Sequence, residues 1–284
     1  MEDELPGGYW DEAGNLHRPF ELSPLTGHDE ELLAGADGAT LVSTVLSRCV
    51  RRLGALSPVS AEVAADLLTA DRLYLLLRLR QATFGSAVNA SLICPWPECG
   101  QRISLTFSVD DVPVVRSAAP AATYTITPSD PAIGEAEFRL PTGRDQEALT
   151  DIDRNEARAL TELLTRCLLR LGTVRSPTSE QIAALPSATR AELEQGMYEV
   201  APRVEQTIET TCPECHRVLI APFDIHRFLF GDLRTDAQLL YQEVHYLAFN
   251  YHWSERDILN MPRDHRRTYI AAIAETIGAM HDGT

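Results

Sequence analysis

Four cysteines in two short Cys-Pro motifs are the residues of this chain best suited to chemistry. Cys94-Pro95-Trp96-Pro97-Glu98-Cys99-Gly100 returns in shortened form as Cys212-Pro213-Glu214-Cys215-His216. A tight turn between two cysteines aims both sulfurs at one point, and its backbone amides offset their charge. Four thiolates in a tetrahedron suit a structural zinc ion, so Cys94, Cys99, Cys212 and Cys215 are the expected ligands of one zinc. Cys212 and Cys215 have the usual spacing, whereas Cys94 and Cys99 enclose four residues. The 112 residues between Cys99 and Cys212 (212 − 99 − 1) are many for a ribbon motif. One site therefore requires two distant hairpins to meet; the alternatives are a metal-free relic or half-sites completed by a second chain. A catalytic zinc would keep an open position beside a titrating group, and neither motif supplies that arrangement. A redox dithiol at Cys212 and Cys215 fits poorly with the paired first motif. His216 could replace a cysteine, but four thiols already suffice.

The segments around the two motifs also correspond, which explains the long gap. Phe20-Glu21-Leu22 matches Phe138-Arg139-Leu140 at a shift of 118 (138 − 20). Thr26-Gly27-His28-Asp29-Glu30-Glu31 matches Thr142-Gly143-Arg144-Asp145-Gln146-Glu147. Leu46-Ser47-Arg48-Cys49 with Arg52-Leu53-Gly54 matches Leu164-Thr165-Arg166-Cys167 with Arg170-Leu171-Gly172. The order is constant and the register drifts by a residue or two. Such self-similarity reads as tandem duplication, and its period is far too long for a solenoid.

The elements that would position the cysteines follow from periodicity. Leu41, Val45, Cys49 and Leu53 recur at helical spacing and Gly54 is a C-terminal stop; Leu160, Leu164, Cys167, Leu171 and Gly172 repeat the pattern. Ser60 and Ser179 are candidate caps for second helices. A third helix, about residues 72–83, carries leucine on several faces and should be buried between layers. Its counterpart near 189–198 is more polar. Residues 88–93 with 102–109, and 204–211 with 217–221, read as strand pairs flanking the two motifs. Two further strands, 124–127 and 135–140, flank a turn at Ser129-Asp130-Pro131. Beyond Phe223 the pattern is helical, with a helix near 235–251, a short one capped by Ser254 and a last one starting at Pro262. The expected fold is α+β and mainly α-helical. A flexible acidic arm (1–19) precedes a first repeat lobe (20–116). A linker and strand (117–134) lead to a second lobe (135–225), each lobe ending in a β-hairpin zinc knuckle, and a C-terminal helical region (226–284) follows.

Composition narrows the function. With 41 acidic and 25 basic side chains the formal net charge is −16, which argues against a phosphate backbone as partner. All 25 basic residues are arginine, which a GC-rich coding sequence explains more simply than selection for bidentate pairing. No apolar run reaches a membrane span and the N-terminus is acidic, so a soluble, cytoplasmic chain is expected. Cys49 and Cys167 lie on apolar stripes and read as buried filler. Arg48 and Arg166 are expected to pair with Asp29 and Asp145, or with nearby helix ends. Asp29, Glu31, Asp145 and Glu147 suit helix starts better than acid–base work. His245 and His252 could share a helical face, but an aromatic packing face with Tyr241, Tyr246, Phe249, Tyr251 and Trp253 is the simpler reading. Arg263 to Arg267 reads as a solvated face.

Phe20-Glu21-Leu22, Leu25 to Glu30 and the run from Asp71 to Arg80 through Phe84-Gly85 to Cys94-Pro95 resemble the T4-type phage baseplate (hub assembly) proteins. Such proteins occur in phage tails and in phage-tail-like contractile injection systems. The segment from Tyr241 to Glu255, with Ile258, Leu259 and Pro262, is similar to a stretch found in the same proteins. The resemblance spans most of residues 20–270. It implies a non-enzymatic role in building a baseplate or tail hub, as a chaperone or a minor component. The partners it implies are baseplate or tail-hub proteins, with no nucleic acid and no membrane, and incorporation into a tail-like particle stays open. A zinc-ribbon regulator or nucleic-acid-associated adaptor is the rival reading, and the acidic charge opposes it.

Overall fold

The chain begins with a hairpin rather than an arm. In the computed structural model, which describes residues 3–34, 39–150 and 156–282, β1 (Asp3–Trp10) pairs antiparallel with β2 (Leu16–Leu22). The acidic, glycine-rich composition of residues 3–19 suggested disorder, but Leu5 is fully buried and the buried Asp71 carboxylate accepts the amides of Gly7 and Gly8, both at 2.8 Å. Met1 and Glu2 of the expected arm lie outside the described residues.

After β2 come α1 (Gly27–Ala34), α2 (Leu41–Cys49), β3 (Val50–Leu53), α3 (Ala61–Asp66), α4 (Thr69–Phe84), and the β4 (Ala87–Ile93) and β5 (Arg102–Ser108) hairpin. A two-residue β6 (Val114–Val115) leads into a second series: β7 (Tyr124–Ile126), β8 (Ala136–Phe138), α5 (Gly143–Leu149), α6 (Glu156–Cys167), β9 (Leu168–Leu171), β10 (Val174–Arg175), α7 (Ser179–Ala183) and α8 (Ser187–Val200). Then β11 (Arg203–Val204) pairs back with β6, and β12 (Thr207–Thr211) pairs with β13 (Val218–Pro222). Three helices finish the chain: α9 (Ile225–Tyr251), α10 (Glu255–Leu259) and α11 (Arg263–Asp282). The architecture is mixed helix and strand with several small antiparallel sheets, β1-β2-β3 and β10-β9-β8-β7 the larger ones.

The two series run in the same order, though one expected match shifts. Glu21 pairs with Arg52 across β2 and β3, and Glu137 with Arg170 across β8 and β9. The strands therefore correspond at 116 (137 − 21), placing Leu22 rather than Phe20 opposite Phe138. Helix α2 forms because Val42, Val45, Leu46 and Cys49 make one buried stripe, and α6 repeats it with Leu164 and Cys167, but both helices end there, and the expected continuations to Leu53 and Leu171 are instead the strands β3 and β9. Helix α4 is the buried central element, its Leu75, Leu76, Leu77 and Leu79 almost wholly covered. Helix α9 begins ten residues before the expected Thr235 (235 − 225). The cap of α7 is Thr178, whose hydroxyl accepts from Gln181, not Ser179.

Both Thr-Gly motifs open helices with a capping box. Thr26 and Asp29 exchange bonds at the start of α1, and Thr142 and Asp145 at the start of α5. Arg48 pairs with Asp29 at 2.6 Å as expected, but Asp145 is held by Arg139, and Arg166 lies near Glu162 instead. Glu31 and Glu147 do not cap their helices. Glu31 accepts from the Tyr241 hydroxyl, and Glu147 accepts from Arg72 at 2.9 Å and from Ser43.

Each Thr-Gly start seats on a helix–helix turn from elsewhere in the chain. Gly143 donates its amide to the Leu67 carbonyl (2.9 Å), and Thr142 bridges Leu68, in the turn between α3 and α4. Gly27 donates to Met261 (3.2 Å), and Thr26 bridges Pro262, in the turn between α10 and α11. The expected solvated face at 263–267 holds for Asp264, His265 and Arg267 but fails for the two arginines that point inward. Arg263 is 3 % exposed and Arg266 1 %, and Arg266 bonds Glu30 at 2.8 Å and Glu243 at 2.9 Å. Local charge density suggested water, but the acidic partners come from distant segments.

The glycines are required because a Cβ at either position would collide with the turn it seats on. A Cβ on Gly27 would lie 3.0 Å from the Leu259 Cα, and one on Gly143 would overlap the buried Arg72 side chain. Gly143→Ala is expected to cost about 1–3 kcal/mol in urea unfolding. Gly278→Ala, in α11 with nothing nearby, should instead be neutral or stabilise by up to about 1 kcal/mol.

Candidate metal centre

The two Cys-Pro motifs are the tips of the β4–β5 and β12–β13 hairpins. Seven consecutive residue pairs, ending at Ile93 opposite Arg102, run up the first hairpin, and Thr211 opposite Val218 ends the second. At the tips the Cys94 amide donates to Gln101 (2.9 Å) and the Cys212 amide to Arg217 (3.0 Å). The Gly100 amide donates to Trp96 and the His216 amide to Cys212. Gly100 (φ 54°) and His216 (φ 58°) both take the left-handed conformation that closes the turn. His216 therefore has a backbone role, for which histidine is among the better-tolerated types.

All four sulfurs converge, within 4.8 Å of one another. Cys94 and Cys215 are 3.9 Å apart across the hairpins, as are Cys99 and Cys212. A tetrahedral zinc about 2.3 Å from each thiolate sets sulfurs about 3.8 Å apart, so the donor set and its spacing fit such an ion. Among the described residues this is the one group of histidine, cysteine and carboxylate side chains so arranged. Cys94 and Cys212 are buried, Cys99 and Cys215 half-buried, and Ile103, Leu105, Leu219 and Ala221 pack beneath them. Bound there, a zinc ion would supply a cross-link rather than chemistry, because four thiolates leave no open position.

Sequence reasoning did not anticipate the contacts that bind the tips to each other. The Trp96 indole donates to the Val218 carbonyl (3.1 Å), and the Arg217 guanidinium lies 5.2 Å from the Trp96 ring centre while pairing with Glu98 at 2.8 Å. Trp96, inside the longer first motif, was the available signal. The thiols also differ electrostatically. Amides of Cys215 and, more weakly, Glu214 draw Cys212 down to about 7, with burial opposing them. Burial pushes Cys94 up to about 12. The Gln101 amide pulls Cys99 down, but burial and the neighbouring thiols leave it raised.

The other cysteines lie apart from this centre. Cys49 and Cys167 are buried on α2 and α6, and burial pushes both thiols up to about 12. His245 stacks on Phe249 at 6.4 Å, and both are exposed. The aromatic face is real at one end only: Tyr251, Trp253 and Tyr269 pack together, while Phe249 is 73 % exposed.

A convergent four-cysteine cluster at the tips of two hairpins, in a mixed helix–strand chain, defines a protein built around a candidate structural metal centre. Residues 15–230 match the family model described as T4 bacteriophage base plate protein, and the chain belongs to that family. The match includes all four cysteines and both Thr-Gly motifs. Comparison with curated proteins gave no match, and neither did comparison with solved structures. No described helix is long and apolar enough to cross a membrane.

A thiol reagent should separate the two classes of cysteine. In native, metal-free protein at pH 8, the half-buried Cys99 and Cys215 should react first, and the buried Cys49 and Cys167 only on unfolding. Peptide mapping of the labelled sites checks this, and early labelling of Cys49 would contradict the buried assignment.

Proposed function

We propose that this chain is a non-enzymatic assembly protein of a phage-type baseplate or tail hub. On this reading it arose by tandem duplication, and its two lobes are clasped by one structural zinc bound by Cys94, Cys99, Cys212 and Cys215. The observation that carries the proposal is the baseplate family match over residues 15–230, inside which distant thiols converge. The common order of elements in the two series and the equivalent Thr-Gly capping boxes support duplication. The donor set supports zinc, and its saturation by thiolates supports stability over catalysis. Other baseplate or tail-hub proteins are the natural partners. The rival adaptor reading loses support from the charge of −16.

Freshly purified protein should carry one zinc per chain by atomic absorption, and a content far below that would end the zinc proposal. Closing a loop of 112 residues (212 − 99 − 1) by a cross-link stabilises by about 4–5 kcal/mol in the chain-entropy view. Cys99→Ser should lose the metal and most of that stability in denaturant unfolding. For the assembly role, the tagged chain co-expressed with the baseplate and hub subunits of its own phage or tail system should co-purify with one or more of them. Failure to associate with any, at any stage of assembly, would refute it.

A further inference from the structure

Among the described residues the turn on which a Thr-Gly helix seats occurs three times, and two of the copies are occupied. Its pattern is a hydroxyl cap, a short helix, a turn, and an arginine twelve residues after the cap: Ser60 to Arg72, Thr178 to Arg190, Ser254 to Arg266 (72 − 60, 190 − 178, 266 − 254). The hydrogen bonds repeat position by position. Each cap hydroxyl accepts from the amide three residues on, at 3.2 Å for Val63, 3.3 Å for Gln181 and 3.2 Å for Asp257. The arginine amide donates to the turn carbonyl four residues before it: Leu68 at 3.0 Å, Pro186 at 3.1 Å and Pro262 at 3.2 Å. In the first and third copies the next carbonyl back, of Leu67 or Met261, accepts a Thr-Gly amide, and the buried arginine meets a carboxylate.

The second copy has the same backbone and no visitor. Among the described residues no amide is bonded to the Leu185 carbonyl, and Pro186, Ser187 and Ala188 are exposed. Arg190 makes no ion pair among the described residues. Its Nη1 donates to the Thr161 hydroxyl at a long 3.4 Å, and its Nε, like that of Arg72, has no hydrogen-bond partner. Thr161 occupies on α6 the position of Ser43 on α2 (161 − 43 and 167 − 49 are both 118). In the first copy Glu147 sits between Ser43 and Arg72 and bonds both. Thr161 and Arg190 thus stand where the two walls of that carboxylate site stand, but no carboxylate among the described residues joins them, and the Thr161 hydroxyl donates instead to the Ala157 carbonyl of its own helix at 2.8 Å.

We propose that the α6–α8 face is a docking site for another protein, presenting a Thr-Gly helix start with a glutamate about one turn later. The Thr-Gly amide would reach the Leu185 carbonyl, and the glutamate would pair with Arg190, the Thr161 hydroxyl turning from the Ala157 carbonyl to donate to it. The partner is a different polypeptide because of a count: each copy of this chain has three such turns but two Thr-Gly starts, both filled internally. Self-association therefore always leaves turns in excess. This deepens the assembly reading and rests on it for the partner being a baseplate component.

The test uses the chain's own visitor as probe. A fluorescein-labelled peptide of residues 134–150, containing Thr142, Gly143 and Glu147, is titrated onto the full chain and followed by anisotropy. Binding is expected, weakened at least about tenfold by Arg190→Ala in the chain or Glu147→Ala in the peptide, since a charge-assisted bond is lost. Thr161→Val, which removes only the hydroxyl, should weaken it less, and circular dichroism confirms that both variants fold. No binding at millimolar peptide, or binding indifferent to these changes, overturns the site. Sedimentation showing self-association of the chain that Arg190→Ala abolishes overturns the assignment to a different polypeptide. A chain that binds the peptide but never co-purifies with baseplate subunits keeps the face and loses the assembly reading.

Discussion

The arrangement of this molecule depends on two guanidinium groups buried away from water. Arg72 and Arg266 are each 1 % exposed, and each meets a carboxylate carried by a helix from another part of the chain. An unpaired charge at such depth costs several kcal/mol, so the folded state is favourable only when the visiting helix is in place. The Thr-Gly start makes that visit possible, because the absence of a Cβ lets backbone touch backbone. Charge, glycine and carbonyl together specify one seating out of the many that apolar helices would permit. Buried ion pairs add little net stability over apolar equivalents, and the effect of these pairs is on register.

The hairpins constrain the opposite connection. Helical junctions join α5 to the α3–α4 turn, and the cysteine tips join β4–β5 to β12–β13. Either contact alone would leave the second series free to pivot about it, whereas two separated contacts remove that freedom. The strand pair β6–β11 adds a third tie between the same segments. With the tips held by Trp96, Arg217 and Glu98 even before any metal, a zinc ion would meet a site whose ordering has largely been done by the protein.

Much of this was legible in the sequence, and what was not shares one physical reason. The cysteine knuckles, the stripes on α2 and α6, and the Thr-Gly capping boxes depend on residues near each other in the chain, and spacing exposes them. The hairpin at residues 3–19 depends on Asp71, and the burial of Arg263 and Arg266 on Glu30, so local composition suggested a flexible arm and a solvated face instead. The pairing of Arg139 with Asp145, where Arg166 was expected, is likewise a matter of which strand runs alongside. The threefold recurrence from cap to arginine was present as a spacing of twelve, but Ser60, Thr178 and Ser254 share too few neighbours for the eye to join them. Only the hydrogen-bond pattern makes them one motif.

That motif also gives the third helical region a meaning that its sequence conceals. Helices α10 and α11 present to α1 the same turn that α3 and α4 present to α5, so the C-terminal region completes a row of junctions. The row has a direction: α10–α11 receives the first series, and the first series receives the second. Among the described residues the second series receives nothing, while its turn keeps the geometry that serves as a seat elsewhere. A closed arrangement would need the last seat to meet the first visitor, but that visitor, at Thr26, is already held by Pro262. Among the described residues the row is therefore open at one end, and the open end carries Arg190, which meets no carboxylate there.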